Sequence, residues 1–251
     1  HQIDKDEKVS VKHDLKLLFK NSPWWILVGT GLAALLFNAL RDSVAIYYFR
    51  DYVQVNYRMA GTGWDMTTIY FLVGQAANLL GVMLAPSLSA RYGKKRTYAI
   101  AILMAGILST GFFFIPNDIT YILVLQFFTS MFAGYVLPLL WSMFADIVDY
   151  QELTTGRRAS GLIFSSSSMS QKLGWALGAA MSGWILAMFN YMPDAAQQGA
   201  ETIFGERIMI SLLPAVCCLL AFIGMCFYPL SDKKVKENAE QLEKRRVQAG
   251  A

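Results

Sequence analysis

The sequence predicts an all-α integral membrane protein with six transmembrane helices. Three observations lead there. Hydrophobic residues make up 55% of the chain and charged residues only 16%, against about a quarter charged in an average soluble domain. The mean hydropathy is +0.38, and the apolar residues gather into six blocks instead of alternating finely. Lysine and arginine concentrate in alternate connections between those blocks.

Residues 1–22 are polar and lysine-rich, with Val11, Leu15 and Leu18 at helical spacing, so this stretch reads as a linker ending in an amphipathic helix. The chain opens on His1 with no signal peptide, and it reads as continuing from a longer polypeptide. The first span is expected from Trp24 to Tyr48, started by Pro23 and carrying Asn38, Arg41 and Asp42 within one arc of the helix. A loop at Gly61–Trp64 leads to the second span, Met66 to Leu88, with Gln75 and Asn78. The basic turn Arg91–Arg96 precedes an almost wholly apolar third span, Thr97 to Ile115.

The fourth span, Ile119 to Phe144, contains Gln126 and Trp141, and Pro138 predicts a kink. The fifth, Ala159 to Phe189, contains Lys172. The sixth, Ile208 to Tyr228, follows a polar loop Asn190–Glu206. Residues 231–251 predict a charged, solvated helix.

Each block is about 20 residues or longer, enough to cross a hydrocarbon core of about 30 Å. Residues 1–22, the turn at 91–96, the segment 146–158 and the tail hold 17 of the 22 Lys and Arg residues. That asymmetry predicts both termini on the cytoplasmic side.

Several function classes are excluded or disfavoured. There are two histidines, His1 and His13, both in the polar N-terminal stretch. The three cysteines, Cys217, Cys218 and Cys226, lie in one apolar block without CxxC spacing and read as packed thiols. No metal site, cofactor or nucleic-acid partner is expected. No Walker, dinucleotide, HExxH or nucleophile-elbow motif is present, so the chain does not read as an enzyme.

The fifth span carries the chemistry. Positions 161, 165, 168, 175 and 179 fall within about 60° of Lys172, so one face shows Gly161, Ser165, Ser168, Lys172, Trp175 and Ala179. The other face shows Ser167, Ser170, Gly174 and Gly178, small residues that let helices approach closely. An ammonium deep in a span marks a functional site unless it is paired structurally. Hydroxyls, an ammonium and an indole together suit a sugar. Asn38, Arg41 and Asp42 are candidates for the same site or for a structural pair. Gln75, Asn78 and Gln126 read first as interhelical hydrogen-bond partners, and Trp141 as an interfacial anchor. The loop 146–158 mixes Asp146, Asp149 and Glu152 with Arg157 and Arg158, as a gate of ion pairs would.

The stretch ADIVDYQELTTGRRASGLIFS, followed by Lys172-Leu173-Gly174, resembles the signature of the glycoside–pentoside–hexuronide:cation symporters, the melibiose-carrier branch of the major facilitator superfamily. Tyr47-Tyr48-Phe49 with Tyr52-Val53, and the basic turn after the second span, agree with it. The resemblance runs from Leu15 to Pro229 and matches the second half of such a carrier, six helices of a twelve-helix fold. It implies residues 1–22 as the end of a central cytoplasmic loop, 23–230 as the C-terminal six-helix bundle, and 231–251 as a cytoplasmic tail.

The resemblance also implies cation-coupled sugar symport by alternating access, in a bacterial inner membrane, with an N-terminal six-helix half as partner. Lys172, Ser167, Ser168 and Gln171 match sugar-side positions. Asp146, Asp149, Tyr150, Glu152 and Arg158 fall in the cytoplasmic lock segment. The coupling cation, Na⁺ or H⁺, is held mainly by the other half. Ser167 and Ser168 stand where the melibiose carrier has a glutamine–threonine pair, and its sugar-stacking tryptophan aligns nearer Leu137 than Trp141. Two other readings remain: a carrier of lysolipids or other amphiphiles, whose phosphate Lys172 would meet, and a non-transporting membrane interaction module.

Overall fold

The computed structural model describes residues 11–54, 64–156, 160–193, 195 and 197–249. The expectations for residues 1–10, the loop at Gly61–Gly63, and Arg157 and Arg158 lie outside the described residues.

α1 (Val11–Phe19) is short. Asn21 then accepts the Trp24 amide at 3.2 Å and, with Pro23 in the first turn, starts α2 (Ser22–Tyr47). α2 passes into a π-helical turn, Tyr48–Val53, which ends at Gln54 with φ +50°. Asp65 accepts the Thr68 amide at 2.7 Å and caps α3 (Met66–Tyr92). One residue, Gly93 at φ +88° and ψ 150°, separates α3 from α4 (Lys94–Phe114). A side chain is strained at that φ, and a Cβ there would also strike the Asp232 carboxylate.

α5 (Ile119–Gly134) and α6 (Val136–Thr155) make the fourth span. α7 (Ser160–Met188) makes the fifth, and α8 (Ala200–Ile210) and α9 (Leu212–Cys226) the sixth. α10 (Asp232–Ala249) is the tail. Among the described residues every regular element is helical. Five stretches are long and apolar enough to cross a membrane: Ser22–Val53, Met66–Tyr92, Lys94–Phe114, Ile119–Thr155 and Ala200–Cys226. α7 has the length, 29 residues, but its serines and Lys172 make it less apolar.

Three expectations need correction. The fourth span breaks at Tyr135, one turn before Pro138. A proline ring clashes with the carbonyl four residues earlier, here Gly134, so the helix gives way there. The sixth span begins at Ala200, not Ile208, and breaks at Ser211. Pro214 leaves the Ile210 carbonyl without its helical donor, and the Ser109 hydroxyl on α4 donates to Ile210 O at 3.4 Å and Ser211 O at 3.2 Å. The segment from Asp146 to Thr155 is helix and not loop, because Ile147, Val148 and Gln151 bury one face of α6.

α2 is central, packed on α7 and α9, while α3 lies on α5 and α4 on α9. One buried cluster joins Leu27, Phe37, Tyr98, Ile102, Leu140, Phe144 and Met225. A second, near the π-turn, joins Val44, Tyr48, Tyr70, Phe112, Ile122 and Met209. Gly134 meets the Asn78 backbone so closely that α3 and α5 touch main chain to main chain. On α7, Ser167, Ser170, Gly174 and Gly178 are buried, and Gly161, Ser165, Lys172, Trp175 and Ala179 are exposed, as the helical spacing predicts. Trp24 Nε1 donates to Ser166 Oγ at 2.9 Å and fastens α7 to the start of α2. Cys217 and Cys218 are buried free thiols, and Cys226 is exposed.

Candidate functional site: a polar cavity among five helices

Asn38 and Asp42 lie one turn apart on α2 and face the same side. Gln75 and Asn78 do the same on α3. With Gln171 and Trp175 of α7 they line a cavity of about 220 Å³, floored by Gly134, Val136 and Leu137 at the α5–α6 break. The break thus opens the space that a continuous helix would fill. Small residues Gly31 and Ala34 widen it along α2.

The lining offers a carboxylate, four side-chain amides and an indole. Asn38 donates to Ala34 O at 3.1 Å, which leaves its oxygen as an acceptor. The Gln171 Nε2 has no hydrogen-bond partner. Trp175 is 45% exposed and presents a flat apolar surface beside these polar groups. Such a set can hydrogen-bond several hydroxyls and cover the apolar side of a ring.

The structure therefore brings together four of the residues singled out from sequence: Asn38, Asp42, Gln171 and Trp175. Lys172 and Ser168 do not line this cavity. They lie on the adjoining face of α7, where Lys172 is exposed and Ser168 Oγ donates to Phe164 O at 3.1 Å. Ser167 is 1% exposed, with no partner for its hydroxyl, on the packed face of the helix.

Arg41 is placed elsewhere. It is 4% exposed, and its Nη2 donates to Gln126 Oε1 at 2.6 Å and to Tyr70 OH at 3.1 Å. Its guanidinium lies 5.3 Å from the Phe37 ring and 5.0 Å from that of Phe112. Arg41 points into the bundle between α2, α3 and α5 while Asp42, one residue on, faces the cavity. Gln126 is an interhelical partner as expected, but Gln75 and Asn78 are cavity residues. Their i, i+3 spacing on α3 was the available signal. Trp141 is half-buried and stacks on Phe164 at 5.9 Å, tying α6 to α7.

At the end of the bundle that carries the basic turn, Lys94 Nζ contacts both oxygens of Asp146, at 2.8 and 2.7 Å. The Lys94 amide, at the start of α4, donates to Asp232 Oδ1 at 2.8 Å. Lys95 donates to the Tyr228 carbonyl at 2.5 Å, and Arg245 to Leu153 O at 3.1 Å. The tail helix is therefore docked on the bundle by polar contacts and by buried Leu242. Burial raises the pKa of the Tyr228 phenol, and the nearby carboxylates of Asp146 and Asp232 raise it further. Asp149, Tyr150 and Glu152 continue along α6 from Asp146, and Tyr150 packs against the main core. Lys94 was the residue that sequence reading missed, since a lysine in a basic turn reads as membrane anchoring.

Long apolar helices interrupted at Tyr135 and Ser211, with a polar cavity beside the first break, fit the half-bundle of a membrane carrier. The family model described as MFS/sugar transport protein matches residues 1–232. This chain belongs to that family, as an integral membrane protein. It is 32% identical to the glucuronide carrier protein homolog of Escherichia coli K12, over 94% of this chain and 50% of that protein. It is 30% identical to the isoprimeverose transporter of Lactiplantibacillus pentosus, over 99% of this chain and 50% of that protein. It is 29% identical to the inner membrane symporter YicJ of Escherichia coli K12, over 95% and 51%. The chain spans about half the length of the curated relatives it matches.

Proposed function

We propose that this chain is the C-terminal half of a cation-coupled symporter that moves a glycoside, pentoside or hexuronide by alternating access. The observation that carries this reading is the cavity of Asn38, Asp42, Gln75, Asn78, Gln171 and Trp175. Amides and a carboxylate on one side of an indole suit a polyhydroxylated ring. The exposed face of α7, with Ser168 and Lys172, continues from this cavity toward the surface that the N-terminal half would cover. Lys172 would then meet either a sugar oxygen or the carboxylate of a uronide. Ser167 supports α7 from behind. The relatives' names, a glucuronide carrier homolog and an isoprimeverose transporter, favour this substrate class.

The coupling cation, Na⁺ or H⁺, is assigned mainly to the N-terminal half. The carrier sits in a bacterial inner membrane with both termini in the cytoplasm, a placement supported by the clustering of 17 of 22 basic residues on one side. The Lys94–Asp146 pair, with Asp149, Tyr150 and Glu152 beyond it, forms that side's gate. The deciding experiment is uptake of labelled glycosides, pentosides and uronides into vesicles holding the full-length protein, with Na⁺ and pH gradients imposed separately. Accumulation under one gradient identifies both solute class and ion. No accumulation of any of them under either gradient sinks the reading.

A further inference from the structure

Two apolar stripes lie side by side on the outside of the bundle, one on α4 and one on α9, because these helices pack on each other. On α4, at 100° per residue, Ile100, Leu103, Ile107, Thr110 and Phe114 fall within about 40° of Arg96. Ile100, Ile107 and Phe114 are each more than half exposed, and Arg96 is exposed at the end of the line. On α9, Leu212, Val216, Ile223 and Cys226 fall within about 60° of Leu219. Val216, Leu219, Ile223 and Cys226 are exposed. Lys95 Nζ donates to Cys226 O at 3.2 Å, so the end of the α9 stripe is tied beside the Arg96 end of the α4 stripe.

Between the stripes runs a groove of about 330 Å³. Its base is made by Gly106, Ala215 and Cys218. The helices meet closely there: a Cβ built on Gly106 would come 2.7 Å from Cys218 Cβ. Ile107, Val216 and Leu219 stand beside this base, about half exposed. Two polar side chains occur in the lining, and neither calls for a polar ligand. Thr110 Oγ1 donates to Ile107 O of its own helix at 2.6 Å, and Cys218 is a buried free thiol. The groove shares no lining residue with the polar cavity, which is built from α2, α3, α5, α6 and α7.

In a bilayer such a groove meets either an acyl chain or another helix. A second helix packs closely only where small residues stand outermost. Here the small residues lie at the base and the branched side chains of Ile107, Val216 and Leu219 rise around them, which admits a thin chain and holds a helix backbone off. The depth also fits a lipid. The 21 residues of α4 span about 31 Å, close to a hydrocarbon core of about 30 Å, so Arg96 near its start lies at the membrane boundary. Along the axis Leu103 is about 10 Å and Thr110 about 21 Å from Arg96. One leaflet is about 15 Å deep, so an acyl chain hanging from a headgroup at Arg96 enters the groove. Lys94 is committed to Asp146, and Lys95 to the carbonyls of Cys226 and Tyr228. Arg96 projects from the same helix start, and Arg91, Lys233 and Lys234 are exposed at this end. A guanidinium grips a phosphate through two parallel hydrogen bonds, and surrounding positive charge favours an anionic headgroup over a zwitterionic one.

We propose that the groove between α4 and α9 is a binding site for an anionic phospholipid of the leaflet on the Lys94 side, with the phosphate on Arg96 and one acyl chain lying over Gly106, Ala215 and Cys218. The bound lipid fills the seam between the third and sixth spans below their Lys95 clasp. It rests on the membrane-spanning character of the chain and not on the solute that the polar cavity takes.

The test uses the full-length protein in phosphatidylcholine vesicles, without solute or ion gradient, so its outcome is independent of the transport reading. A trace of phosphatidylglycerol carrying a photoreactive diazirine on one acyl chain is added, or the same probe with a phosphatidylcholine head. After irradiation the labelled residues are mapped by peptide mass spectrometry. The phosphatidylglycerol probe should label residues 103–110 and 212–219 more strongly than the phosphatidylcholine probe. Arg96→Gln should lower that labelling about fivefold, the factor that one basic residue supplies near an anionic lipid surface. Ala215→Phe, which fills the base of the groove, should remove it. Equal labelling by the two probes overturns the proposal and leaves ordinary boundary lipid. Labelling unchanged by Arg96→Gln also overturns it, and this exposed substitution serves even where Ala215→Phe folds poorly. A groove that takes no label from either probe overturns it too, since a protein segment then covers the seam.

Discussion

Gly174 and Gly178 on α7 set the distance to α2, and that distance sets the width of the cavity between Asn38 and Trp175. Replacing either glycine by alanine tests this directly. A Cβ built on Gly174 comes 2.8 Å from Leu35 Cβ, where carbon atoms normally rest about 3.5–4.0 Å apart. The helices must therefore separate by about 1 Å. One built on Gly178 meets Ala39 Cβ more closely still. Overpacking of this kind costs about 1–3 kcal/mol, and Gly to Ala in a helix recovers about 1 kcal/mol. The net loss is then up to about 2 kcal/mol, larger at Gly178 than at Gly174. At about 2–4 °C per kcal/mol for a domain of this size, thermal unfolding in detergent should fall by up to about 8 °C. Gly183, on the same helix with nothing within 4 Å of its Cβ position, is the internal control. Gly183→Ala should be neutral or stabilising. The double variant should cost less than the sum, because one outward shift of α7 relieves both clashes. Equal melting temperatures for all three single variants would refute the claim that these glycines space the helices.

Two further perturbations follow from the polar contacts. Lys94→Met leaves the Asp146 carboxylate, 12% exposed, without its cation, and should cost about 1.5–3 kcal/mol. Adding Asp146→Asn should recover part of that loss, and a double-mutant cycle on thermal unfolding that shows no coupling would reject the pair as a stabilising contact. Arg41→Lys keeps the charge but loses the fork that reaches both Tyr70 and Gln126, so it should lower stability by about 1.5–3 kcal/mol and leave solute affinity within about twofold. A large affinity loss with unchanged stability would return Arg41 to the binding site.

Much of the helical frame was legible because hydropathy and spacing act within one segment. The two faces of α7 follow from 100° steps applied to serines, glycines and Lys172, and the structure buries and exposes them accordingly. α8 was not legible: AETIFGERIMI mixes Glu201, Glu206 and Arg207 with apolar residues and reads as a loop end. Glu201 and Arg207 find their partners on other elements, in the Asn190 amide, the Phe113 carbonyl and the Tyr52 ring. Arg41 and Asp42 share one arc on α2, and nothing local says which turns inward. That depends on Tyr70 and Gln126, 29 and 85 residues away. Lys94 finds Asp146 across 52 residues for the same reason. Pro138 was read as a kink, but its effect falls on the carbonyl four residues earlier, and with Pro214 acting likewise both joints lie upstream of the proline that marks them.

Those two joints divide the bundle into parts with different stiffness. α2 and α7 are continuous helices that meet closely at Gly174 and Gly178, and they carry Asn38, Asp42, Gln171 and Trp175. α5–α6 and α8–α9 each have an interrupted backbone ladder, at Tyr135 and Ser211, and can bend without losing hydrogen bonds that are already absent. The first joint borders the cavity through Gly134 and Val136. Bending at the first would reshape the cavity. The ionic contacts at the Lys94 end hold α4, α6 and α10 together.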